Sequence, residues 1–279
     1  MNLYMHTLRN ITVTLLFGWA LFMTQSIAAS GSPVPAGGGP VRLHVVYNNL
    51  PCKAGLQTGW GFGCLIEGLD ETVLFDTGGS GEILVSNMQK LGLDAQAVKA
   101  VVLSHIHGDH TGGLGTLLAL NPDVTVYVPE SFPASFKREV RRLGAAVETV
   151  SGARHLFDGV YSTGEMNHGI KEQALIVDTA RGLIVVTGCA HPGVADMAER
   201  AHSFLGRDIY LLTGGFHLSG AGDAEIRAII GRLKALGVEK VAPSHCTGDN
   251  AIRLFRKAWG ENFIEGGLGA VIEITQAAD

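Results

Sequence analysis

Val101-Val102-Leu103-Ser104-His105-Ile106-His107-Gly108-Asp109-His110-Thr111-Gly112-Gly113 is the stretch from which the rest of the chain is read. Its apolar start reads as a short buried strand. Gly108, Gly112 and Gly113 break that pattern, and a helical run begins near Leu114. His105, His107, Asp109 and His110 therefore fall on a strand-to-helix turn. Residues i and i+2 of an extended segment point the same way, so His105 and His107 can hold one metal ion together. Gly108 lets the backbone turn, which allows Asp109 and His110 to face a second ion. Imidazole with carboxylate suits zinc, and suits iron or manganese less selectively. The expected cofactor is thus a pair of divalent ions, zinc foremost.

Alternating strands and helices are predicted from residue 41 onward. Apolar runs predict strands over 42–47, 59–67, 72–75, 124–128, 174–178, 183–187, 209–212, 238–243 and 270–274. Helical periodicity covers 82–91, 114–120, 132–143, 195–205, 224–236 and 250–259. The charges of Lys137, Arg138, Glu139, Arg141 and Arg142 read as a solvated helix face. Three further strand ends carry candidate ligands: Thr187-Gly188-Cys189-Ala190-His191, Gly214-Gly215-Phe216-His217-Leu218 and Ser244-His245-Cys246-Thr247-Gly248. Asp76-Thr77-Gly78 ends another strand. Asp76 reads either as a turn aspartate or as a hydrogen-bond acceptor behind a ligand histidine.

The string His-x-His-x-Asp-His followed by two glycines resembles the metallo-β-lactamase-fold hydrolases. That resemblance implies an α+β chain folded as a four-layer αββα sandwich, a dinuclear metal site and a metal-bound hydroxide as nucleophile. Phe-Asp-Thr-Gly at residues 75–78 is common in the same family. The later strings, in this order, look like the branch labelled after a dihydropterin–ribofuranosylaminobenzene phosphate synthase, with similarity from about Leu43 to Ile274. By the family pattern His245 matches the final histidine ligand. His191 is the choice for the third histidine of the first metal, with His168 competing, because His168-Gly169 precedes the strand pair where family members place that ligand. Family members commonly carry Gly-Asp where this chain has Gly188-Cys189. Cys189 is read as a thiolate ligand or as an inert neighbour. His217 is read as a substrate or oxyanion contact over a packed core residue.

Residues 1–28 read as a signal peptide: Arg9 is the only charged residue, an apolar run covers 11–23, and Ser26-Ile27-Ala28 fits a small-x-small cleavage site. An uncleaved anchor is the competing reading. Residues 29–40 form a Gly/Pro/Ser linker, and 41–279 a single metallo-β-lactamase-like domain. A periplasmic or secreted location follows, with membrane contact only through the segment before cleavage. Export permits disulfides; Cys52 and Cys64 are a candidate pair, and Cys189 and Cys246 are ligands, buried thiols or a second bridge. The 279 residues carry a formal net charge of -5 and no basic run, which excludes nucleic acid as a partner and leaves a small-molecule substrate.

No Gly-x-Ser-x-Gly elbow, dinucleotide fingerprint or Walker loop is present. The expected function is an exported dinuclear hydrolase of a small ester, lactone, amide or phosphoester, with Asp109 as the catalytic carboxylate orienting the nucleophile. The alternatives are a metal-dependent transferase or synthase of the branch, and a non-catalytic ligand-binding protein on the same fold.

Overall fold

Alternating side chains along the strands sort the chain into layers. In the computed structural model, which describes Met1 and residues 39–275, strand β1 (Val41–Asn48) is followed by β2 (Phe62–Glu67), β3 (Thr72–Phe75), helix α1 (Gly81–Lys90), β4 (Val98–Val102), α2 (Gly108–Thr111), α3 (Leu114–Leu120), β5 (Thr125–Pro129), α4 (Ala134–Arg142) and β6 (Ala146–Val150). The chain continues through β7 (Gly152–Phe157), β8 (Val160–Gly164), β9 (Met166–His168), β10 (Ile170–Glu172), β11 (Leu175–Thr179), β12 (Gly182–Thr187), α5 (Val194–Leu205), β13 (Ile209–Gly215), α6 (Asp223–Ala235), β14 (Lys240–Ser244), α7 (Asp249–Trp259) and β15 (Val271–Ile274). The signal segment, and the linker up to residue 38, lie outside the described residues. No helix among the described residues is long and apolar enough to cross a membrane.

One sheet has the order β15-β1-β2-β3-β4-β5-β6, and the other β14-β13-β12-β11-β8-β7. Val41, Leu43 and Val45 of β1 meet Leu175 and Val177 of β11 and Ile184 and Val186 of β12 in a core between the sheets. The opposite faces are covered by helices. Leu84, Met88, Leu114 and Leu117 pack over the first sheet, and Val194, Met197, Ile226, Leu254 and Phe255 over the second. This is the expected αββα sandwich. The loops that carry the candidate ligands follow parallel strands: β4 in the first sheet, with Asp76 after its neighbour β3, and β12, β13 and β14 in the second. Strand ends in such layered folds are where chemistry is placed.

Three expectations change. The predicted strand over 59–67 begins only at Phe62, because Gly61 (φ 137°) turns the chain and its missing Cβ makes room for the Asp109 carbonyl, 2.1 Å from where that atom would sit. β6 to β10 are additional strands that apolar periodicity did not reveal. Cys52 and Cys64 are not paired: all four cysteines are free, Cys64 faces the core from β2, and Cys52 is exposed in the segment 49–61 that joins β1 to β2.

That 49–61 segment is fastened by a buried amide. Asn87 Nδ2 on α1 donates to Val46 O (3.1 Å) and Gln57 O (2.9 Å), and Asn87 Oδ1 accepts from Gln57 N (2.9 Å). Asn87→Ala leaves these backbone groups without their partner. It is expected to cost about 2–3 kcal/mol of stability, measured as a lower midpoint in urea unfolding monitored by circular dichroism.

Candidate metal centre

The strand-to-helix turn after β4 is built around the Asp76 carboxylate at the end of β3. Asp76 Oδ1 accepts from Ser104 N, and Oδ2 accepts from Ser104 Oγ and His110 Nδ1, all at 2.7 Å. Because the Ser104 hydroxyl donates to Asp76, its oxygen is free to accept from His105 Nδ1 (2.8 Å). Both His105 and His110 are thereby held with the proton on Nδ1 and the Nε2 lone pair turned inward. His245 is set the same way, its Nδ1 donating to Asn49 Oδ1 at 2.8 Å.

The inward nitrogens fall into two groups. His105, His107 and His191 form the first; Asp109, His110, Cys189 and His245 form the second, with donor atoms within 4.8 Å of one another in each. His105 Nε2 stands 3.1 Å from His107 Nδ1, close to the roughly 3.3 Å between two nitrogens on one tetrahedral zinc at about 2.0–2.1 Å. In the second group Asp109 Oδ2 lies 3.4 Å from both His110 Nε2 and His245 Nε2, and Cys189 Sγ lies 3.2 Å from His110 Nε2. His191 Nε2 and His245 Nε2 are buried without a hydrogen-bond partner. A buried nitrogen left so is costly unless something binds it, and a divalent cation in each group fits the donors present. His168, at the end of β9, is exposed and joins neither group.

The charges differ between the groups. Burial, then the neighbouring His110, His191 and His107 rings, drive His105 far below the usual imidazole range. Burial and His217 bring His191 down to about 4. His105 and His191 therefore offer neutral nitrogens to the first group. In the second, burial opposes charge on His110, but Asp76 and Asp109 outweigh it and push His110 up to about 10. Burial also opposes charge on Asp109, and the His110 and His245 rings, each with Nε2 3.4 Å from Oδ2, overcome it and hold the carboxyl well below its usual range. A cation held by the second group would have to displace the second ring proton of His110.

The third histidine depends on a carboxylate that the sequence reading did not single out. Glu172, at the end of β10, is fully buried. Its Oε1 accepts from the N–H groups of Gly188 (3.1 Å), Cys189 (2.9 Å) and Ala190 (2.8 Å), and its Oε2 from His191 N (2.9 Å). This fan of hydrogen bonds shapes the loop that carries Cys189 and His191. Burial pushes the Glu172 carboxyl up to about 7 against the pull of the N–H groups. The non-glycine residues with positive φ among the described residues are Asp76 (55°), Ala190 (59°), His217 (50°) and His245 (52°). All belong to this region, where such strain, of order 1–3 kcal/mol each, marks a functional site. His217 is exposed, with its ring centroid 4.3 Å from that of His191. Asn49 and Trp60 are further contributors from the 49–61 segment; the Trp60 indole is 60% exposed and its centroid lies 4.9 Å from the His245 ring. A cleft of about 310 Å³ lined by Asn49, Trp60, Ser219, His245 and Asp249 opens beside them.

Comparison with known proteins bears on the fold and family. The family model described as the metallo-beta-lactamase superfamily matches residues 64–200. The 7,8-dihydropterin-6-methyl-4-(beta-D-ribofuranosyl)-aminobenzene-5'-phosphate synthase of Methanocaldococcus jannaschii is 29% identical over 251 residues, 74% of this chain and 85% of that protein. The crystal structure of a metal-dependent hydrolase of the beta-lactamase superfamily is 27% identical with a TM-score of 0.73, over 84% of this chain and 99% of the other. A metallo-beta-lactamase fold protein from Bacillus subtilis shares the fold at 17% identity, with a TM-score of 0.62 over 84% of this chain and 99% of its own.

The grouping of His191 with His105 and His107 yields a direct test. His191→Ala is expected to lower bound zinc, measured by elemental analysis after dialysis, from the wild-type content by about one ion per chain. His168→Ala is expected to leave the content unchanged.

Proposed function

We propose, from the premise that the chain belongs to the metallo-β-lactamase superfamily, that it is a dinuclear metal-dependent hydrolase of a small ester, lactone, amide or phosphoester. The observation that carries this reading is the pair of adjoining donor groups, each holding a buried histidine nitrogen without a partner, beside an open cleft. His105, His107 and His191 would hold one ion, and Asp109, His110, Cys189 and His245 the other, zinc by the nature of the donors. Two such ions supply Lewis acidity and bring the pKa of a water toward 7.

The protein's own groups do the rest. Asp109 is partly exposed, and its carboxylate stands at the mouth of the second group, placed to accept a proton from the attacking water and to orient it. His217 Nε2–H or Nδ1–H, exposed beside His191, can donate to the substrate oxygen that gains charge. Trp60 offers an exposed apolar face over the cleft, suited to a planar or apolar substrate portion. The second reading, a transferase or synthase, is favoured by the likeness to the named synthase across most of that protein's length.

The discriminating assay offers a generic phosphodiester or ester to zinc-loaded protein with no co-substrate. Turnover is expected, lost on chelation, and reduced about 10²–10⁴-fold in Asp109→Asn. Turnover that appears only with a second substrate would favour the synthase.

The hydrolase is proposed to act outside the cytoplasm, on the strength of the apolar segment and small-x-small site in residues 1–28. Intact mass of the protein recovered from the periplasm is expected to match a chain beginning near Ala29.

A further inference from the structure

A third donor group adjoins the first two. Cys189 Sγ, Cys246 Sγ and a ring nitrogen of His217 lie within 4.8 Å of one another. Each comes from the end of a different strand: Cys189 follows β12, His217 follows β13, and Cys246 follows β14. These three strands are parallel neighbours, so their ends open on one edge of the sheet. Both thiols are buried, while His217 is exposed.

The local backbone is shaped to this meeting. His217 takes a left-handed conformation (φ 50°), unfavourable for a histidine, and with it brings its ring toward the two sulfurs. At Gly215 a Cβ would lie 2.8 Å from Cys246 Sγ and 2.4 Å from Gly188 O, so the glycine leaves the space that the thiol occupies.

We propose that Cys189, Cys246 and His217 bind a third divalent cation of the zinc class, with the Cys189 sulfur shared between it and the ion of the second group. The proposal goes beyond the dinuclear hydrolase and rests on that reading only for the shared sulfur. Two thiolates and an imidazole are a donor set for zinc with a fourth position left open, whereas magnesium, calcium and manganese prefer oxygen. In tetrahedral zinc, with Zn–S about 2.3 Å and Zn–N about 2.0–2.1 Å, donors stand about 3.5–3.8 Å apart. The three donor atoms, all within 4.8 Å of one another, are gathered at a separation of that order. The exposed side of His217 gives the ion its route from solvent.

The test is a titration of the fully reduced, metal-free protein with Co2+, followed by elemental analysis of the zinc-loaded form after removal of excess metal. Wild type is expected to hold about three ions per chain, and Cys246→Ser and His217→Ala about two. The third equivalent of Co2+ should add sulfur-to-cobalt charge-transfer absorption in wild type and none in Cys246→Ser. A wild-type content of two with Cys246→Ser unchanged overturns the third site, and so does retention of three ions in both variants. If Cys246→Ser does not fold, the exposed His217→Ala decides alone. His107→Ala separates this from the dinuclear reading: loss of one ion there upholds the first group whatever becomes of the third, and an unchanged content refutes the first group without touching the third.

Discussion

The Asp76 carboxylate, buried at the end of β3, is the point on which the centre hangs. It ties β3 to the chain leaving β4 through Ser104 and to α2 through His110. Directly for His110, and through the Ser104 hydroxyl for His105, it orients the ring so that Nε2 faces inward, and one carboxylate thus positions a ligand in each donor group. An isolated buried carboxylate would be costly to fold. Here its lone pairs are taken up by three donors, and the local strain of its positive φ brings it under the turn. Removing it would leave Ser104 N, Ser104 Oγ and His110 Nδ1 unsatisfied at once.

The two sheets then bring unlike chemistry to one edge. The first sheet contributes the His105–His110 turn, in which charge is balanced between Asp109, Asp76 and His110. The second contributes Cys189, His191, His217, His245 and Cys246 from successive strand ends. The first donor group is purely imidazole, and the second mixes carboxylate, imidazole and sulfur. Two sites so close together therefore differ in the proton that must leave when a cation enters and in the softness of their donors.

Much of this was legible in the sequence because it is local. His105 to Gly113 carries its geometry in a single turn, and the apolar runs of β1, β3, β11 and β12 alternate between two covered faces, which gives a strong pattern. The strands β6 and β7 were not legible: they lie at sheet edges, with burial confined to a few residues, and their sequences Ala146-Val147-Glu148-Thr149-Val150 and Gly152 to Phe157 are diluted by polar groups on the open side. Glu172 sits in Ile170-Lys171-Glu172-Gln173, which reads as a charged loop. Its burial depends on N–H groups 16 to 19 residues away, and no local spacing announces such a contact. Asn49 and Trp60 were missed for the same reason, since both reach the centre from a segment positioned by Asn87 on a distant helix. The supposed Cys52–Cys64 pair failed because closeness in sequence says nothing about which face of β2 a side chain takes.

The fan of hydrogen bonds at Glu172 has a consequence for how such a centre can change. Glu172 grips Gly188, Cys189, Ala190 and His191 by the main chain, through groups that every residue but proline possesses. The cradle is therefore indifferent to the side chain at residue 189. Loop shape and donor chemistry are therefore set by different atoms in this protein: Glu172 holds the main chain of residues 188–191, and the side chain at residue 189 alone decides whether that loop offers sulfur or another donor.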